Sequence, residues 1–91
     1  MTTTWNELRS ELNLSEEDKK LIELEEEIIS TMVQIREEKG MTQAQLAQRC
    51  KIKQSAVARM EKSVHSPQLS SILKILVPLG YTLQIVPINK N

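Results

Sequence analysis

Ninety-one residues with a formal net charge of zero make one small domain. Forty per cent hydrophobic and 26% charged residues are ordinary for a soluble chain, and with no apolar run of about 18 residues and no signal-peptide pattern the expected location is the cytoplasm. One cysteine excludes an internal disulfide, and one cysteine with one histidine assembles neither a catalytic triad nor a metal cluster, so we expect no enzyme, no metal and no cofactor.

The neutral total hides a division. Residues 1–40 carry five Lys or Arg against eleven Asp or Glu, and residues 41–91 carry seven against one. The halves are therefore −6 and +6, and they face different partners. The basic half suits phosphates. The acidic half would be repelled by them and points elsewhere, unless it is simply a well-solvated helix.

In chain order, residues 1–14 contain Trp5, Leu8, Leu12 and Leu14. Leu8 and Leu12 are one helical turn apart. A lone tryptophan near a terminus suits a partner anchor, or packing on the protein's own surface. Ser15 followed by Glu16, Glu17 and Asp18 reads as a helix start, with a capping hydroxyl and acids in the first turn. Leu21, Leu24, Ile28, Met32 and Ile35 then recur at spacings of three and four, one apolar stripe on a helix reaching about residue 38. Ile22, Ile29 and Val33 make a second stripe beside it. Two stripes exceed what one small core needs, so part of this surface is expected to be an interface. The tract of Glu23 and Glu25, Glu26 and Glu27 has no cleft around it and is not a catalytic acid pair.

Gly40 closes that helix, and Thr42 caps the next, which runs to about Cys50 with Leu46, Ala47 and Cys50 inward. Cys50 reads as a core thiol. Lys51-Ile52 is a tight turn. A second short helix spans about 54–62, with Val57 and Met60 inward and Gln54, Ser55, Ala58, Arg59 and Lys62 on the opposite face. This layout over 42–61 is a helix-turn-helix, a unit that holds its second helix for insertion into a DNA major groove. Its small residue is Ala47, at the helix crossing. Lys51 occupies the turn position usually given to glycine, at a cost of about 1 kcal/mol if it is left-handed.

Residues 63–67 form a loop, where His65 is a surface histidine or a phosphate contact. A further helix is expected over 68–79, with Leu69, Ile72, Leu73 and Leu76 inward and Pro78 weakening its last turn. Gly80 ends it. Tyr81, Thr82, Leu83, Gln84 and Ile85 alternate as a strand does, up to Pro87. The fold class expected is mainly α: a bundle of about five helices with a helix-turn-helix, plus a short C-terminal β-strand.

The exposed face carries reading chemistry. Glutamine pairs bidentately with adenine, arginine with guanine, and a small apolar side chain meets the thymine methyl. Gln54, Ser55 and Arg59 are the base-reading candidates, with Ala58 for a methyl. Thr42, Gln43, Lys53 and Lys62 are candidates for phosphate.

The stretch from 28 to 79 resembles the XRE/Cro/C1 class of phage-repressor-like domains. The marks are Arg36, Gly40-Met41-Thr42-Gln43, Leu46-Ala47, Gln54-Ser55, Val57, Met60-Glu61, Pro67 and Leu79-Gly80. That resemblance implies a structural salt bridge between Arg36 and Glu61. The acidic helix before this domain and the segment Tyr81-Thr82-Leu83-Gln84-Ile85 after it are similar in layout to the HigA group of type II antitoxins. Such proteins bind a small RelE-like ribonuclease toxin and repress their own operon.

The resemblance implies three regions: an acidic toxin-binding region at 1–27, a DNA-binding domain at 28–80, and a dimerising strand and tail at 81–91. The toxin contacts expected are Trp5, Leu8, Leu12, Leu21 and Leu24, against a small basic ribonuclease. A lone strand has unpaired edges, so Tyr81, Leu83 and Ile85 are expected to pair with a second copy, or else to extend the toxin's sheet. The partners are thus double-stranded DNA with a palindromic operator, the toxin, and a second copy, with no membrane. A free-standing repressor without a toxin is the alternative. A helix-turn-helix used only for protein assembly is disfavoured by the Gln54, Ser55 and Arg59 face.

Overall fold

The computed structural model describes residues 15–62 and 67–88. Trp5, Leu8, Leu12 and His65 lie outside them, as does the N-terminal segment in which a further helix was expected. The described residues hold four α-helices: α1 (Glu16–Glu38), α2 (Gln43–Cys50), α3 (Gln54–Glu61) and α4 (Leu69–Leu76), with a 3₁₀ turn at Val77–Leu79.

Local chemistry sets each helix start. The Ser15 hydroxyl accepts from the Asp18 N–H at 3.1 Å, and Glu16, Glu17 and Asp18 fill the first turn of α1, where acids suit the helix dipole. At α2, Thr42 and Gln45 make a reciprocal capping box. The Gln45 N–H donates to the Thr42 hydroxyl at 3.1 Å, and the Thr42 N–H donates to Gln45 Oε1 at 2.8 Å. The Thr-x-x-Gln spacing that signals this box was legible in the sequence, although Gln45 was not singled out there.

Three chain reversals are built alike. Met41 N–H bonds to Arg36 O, Ile52 N–H to Ala47 O and Tyr81 N–H to Leu76 O, each spanning five residues. Each reversal places a left-handed residue before an apolar one: Gly40 at φ 68°, Lys51 at φ 59° and Gly80 at φ 89°. These are Schellman ends, and the apolar residue after the turn folds back toward the helix. Lys51 does with a side chain what glycine does in the other two.

The core is one cluster. Ile29, Met32 and Ile35 of α1 meet Leu46, Ala47 and Cys50 of α2, Val57 and Met60 of α3, and Ile72, Ile75, Leu76 and Leu79. Ile28, Met41 and Ile52 pack against it half-buried. Nothing upstream of Ile29 in α1 is buried. The first half of α1 therefore extends past the core, and the helix is continuous across residues 27 and 28.

Two parts of the expected fold are corrected. The last helix is α only from Leu69 to Leu76, because Pro78 lacks the N–H that would continue the ladder and the chain tightens to a 3₁₀ turn. Its inward face is Ile72, Ile75 and Leu76, while Leu69 is 62% exposed and Leu73 half-buried. The C-terminal β-strand is absent among the described residues: 81–88 has no ladder partner, and a strand exists only when a second edge satisfies its backbone groups. Four α-helices lie within the described residues, and the further helix of the expected five falls outside them. No helix among the described residues is long and apolar enough to cross a membrane.

Candidate nucleic-acid interface

α2 and α3 pack against one another through their buried sides, where Val57 is 0% exposed. That fixes which side of α3 faces out. Gln54, Ser55, Arg59 and Lys62 are exposed and Ala58 is half-buried. None of the four exposed residues makes a side-chain hydrogen bond or ion pair to another described residue. Their polar groups are thus available for a ligand. Lys53 caps α3 without a side-chain bond, and the first helical bonds come from Ala56 and Val57 to Lys53 O. The Gln54 and Ser55 N–H groups precede that ladder and point out of the helix start, which suits a phosphate.

The Thr42 hydroxyl accepts the Gln45 N–H, so its own proton remains free to donate. Gln43 is more committed. Its Nε2 donates to Glu61 Oε1 at 2.9 Å, and the residue is half-buried. A second amide hydrogen and the carbonyl oxygen stay open. This bond was not foreseen from the sequence, because it joins residues 18 apart whose approach depends on how α2 and α3 pack.

Glu61 is the hub of that network. Arg36 Nε donates to Glu61 Oε2 at 2.6 Å and Arg36 Nη2 to Glu61 Oε1 at 3.0 Å. Arg36 Nη1 donates to the Met41 carbonyl at 2.7 Å. Both side chains are only 12% exposed. The hydrogen bond to Glu61 holds the Arg36 guanidinium above its ordinary pKa, against the opposing effect of burial. The electrostatic consequence is direct. Glu61 is the sole acid of residues 41–91, and Arg36 neutralises it. The field of Lys53, Arg59 and Lys62 is left uncompensated on the outer face.

Behind the interface, Cys50 is buried, with its Sγ 3.8 Å from the Ile75 carbonyl. Burial pushes its thiol pKa up, with Arg49 opposing. Arg49 Nη2 donates to the Pro78 carbonyl at 3.4 Å and links α2 to the 3₁₀ turn.

The remaining described sequence candidates lie on α1 and on the tail. Leu21 is 55% exposed and Leu24 39% exposed on the projecting half of α1. Tyr81, Leu83 and Ile85 are exposed on the extended tail, Ile85 completely. Lys39 Nζ sits 5.9 Å above the Tyr81 ring, a cation–π contact.

Comparison with known proteins agrees with this geometry. Residues 32–86 match the family model described as "Helix-turn-helix". The chain is 37% identical over 86 residues to an uncharacterized HTH-type transcriptional regulator of Haemophilus influenzae, covering 94% of this chain and 87% of that one. A solved structure titled as a toxin–antitoxin module from Streptococcus pneumoniae is similar, with a TM-score of 0.68 and 36% identity, over 97% of both chains.

Proposed function

Since the chain belongs to the helix-turn-helix family of DNA-binding transcriptional regulators, we propose that it is a HigA-type antitoxin that neutralises a RelE-like ribonuclease toxin by direct binding and represses its own operon. In this reading α3 enters the major groove of a palindromic operator. Gln54, Ser55 and Arg59 read base edges and Ala58 meets a thymine methyl. Thr42, Gln43, Lys53 and Lys62 hold phosphates. A second copy, paired along residues 81–88 through Tyr81, Leu83 and Ile85, supplies the other half-site, about one DNA turn away.

One observation carries the toxin half of the proposal. The likeness to the Streptococcus pneumoniae module runs over 97% of both chains, so it takes in the acidic helix and the tail as well as the DNA-binding unit. Exposed Leu21 and Leu24 on an acidic, projecting helix suit a basic partner, as a ribonuclease must be to hold RNA. Trp5, Leu8 and Leu12 are the further toxin contacts in this reading.

A free-standing repressor is the second reading, favoured by the Haemophilus influenzae relative, whose name mentions transcription alone. Co-expression with the adjacent open reading frame, pull-down, and band shifts on the chain's own promoter separate the two. Capture of a small basic protein together with a promoter shift supports the antitoxin. A promoter shift without capture supports the free-standing repressor.

A further inference from the structure

The projecting half of α1 does not stand alone. An apolar groove runs between it and the tail, walled by Leu24, Glu27, Ile28 and Thr31 on one side and by Leu83 and Val86 on the other. Of its lining, Leu24 is 39% exposed and Val86 66% exposed. Glu27 is the charged side chain in its lining, and it makes no side-chain bond to another described residue. The geometry points to this groove as the seat of the toxin itself, with the tail side chains forming its second wall.

Charge decides the occupant. α1 carries nine acids against three basic residues. A second copy seated here through its own α1 would bring another such helix toward the first, and like charges at close range oppose that approach. An apolar segment flanked by Lys or Arg fits both features: the apolar part fills the groove and a cation pairs with Glu27. The groove thus adds Glu27, Ile28, Thr31 and Val86 to the contact surface, and it leaves the backbone edge of 81–88 free for the second copy. The inference rests on the antitoxin reading.

The test titrates the full chain with the small basic protein of the adjacent reading frame, using Leu21→Asp, Glu27→Lys, Glu27→Gln and Val86→Lys. Leu21 lies outside the groove and reports on the antitoxin reading alone. Expected are at least tenfold losses of affinity for Glu27→Lys and Val86→Lys and a smaller loss for Glu27→Gln, with oligomeric state and operator binding unchanged in the two Glu27 variants. A loss for Leu21→Asp with none for Glu27→Lys or Val86→Lys overturns the groove and keeps the antitoxin. A changed mass for Glu27→Lys with unchanged affinity assigns the groove to a second copy and overturns it. Failure of the unmodified chain to bind removes the antitoxin reading and the groove with it.

Discussion

Arg36 grips both carboxylate oxygens of Glu61, at 2.6 and 3.0 Å, and so fastens α1 to the helix proposed to read DNA. The same carboxylate accepts from Gln43 at the start of α2, so one acid positions three helices. An ion pair this shielded is costly to break on one side, because the survivor keeps its desolvation cost without its partner.

Glu61→Ala is therefore expected to destabilise the fold by about 3 kcal/mol. The double substitution Arg36→Met with Glu61→Leu should lose less than either single change, since no charge is left stranded. Urea unfolding followed by circular dichroism checks this. A double variant as weak as the sum of the singles contradicts the coupling.

Lys51 sits at φ 59° in a helix end that Gly40 and Gly80 build elsewhere without side chains. Lys51→Gly should stabilise the chain by about 1 kcal/mol, the approximate penalty of a side chain in the left-handed region. The thermal midpoint should rise by about 4–8 °C for a chain of this size. An unchanged midpoint would show that Lys51 makes a compensating interaction.

Burial raises the Cys50 thiol pKa, so the folded chain keeps this proton to a higher pH than the unfolded chain does. The resulting stability is complete below the unfolded thiol pKa of about 8.5 and declines as pH rises above it. Comparing urea midpoints from pH 7 to 10, Cys50→Ala should show a shallower alkaline loss than the unmodified chain. Parallel pH profiles contradict the assignment. Alkylation of the native thiol should also be slow and should quicken on unfolding.

On DNA, Arg59→Ala should cost about 1–3 kcal/mol and relax preference at one base position, whereas Lys62→Ala should weaken all sequences alike and lower the salt slope by about 1. Quantitative footprinting across a salt series measures both. Unchanged affinity and preference for Arg59→Ala would remove it from the reading face.

The helix starts and the helix-turn-helix were legible because their signals are local: Ser15 with three acids, Thr42 before an apolar pair, and Val57 and Met60 one turn apart. The face of α4 was not. Residues 69–79 are apolar on nearly all sides, so spacing alone favours Leu69 and Leu73 as readily as Ile75 and Leu79, and tertiary packing makes the choice. The tail alternates correctly for a strand, yet pairing is a property of two edges and one chain supplies one. The Gln43–Glu61 bond was hidden for a related reason, since it depends on the angle at which two helices meet.

In the proposed function, one chain combines an operator-reading face with a surface that silences a toxic, basic partner. The most direct measurement is growth of cells expressing the adjacent reading frame, alone and with this chain. Arrest is expected without the chain and recovery with it. Recovery is expected to be lost in a Leu21→Asp, Leu24→Asp variant that still shifts the promoter. Growth that is unaffected by the neighbouring protein, or rescue that survives loss of both leucines, would contradict it.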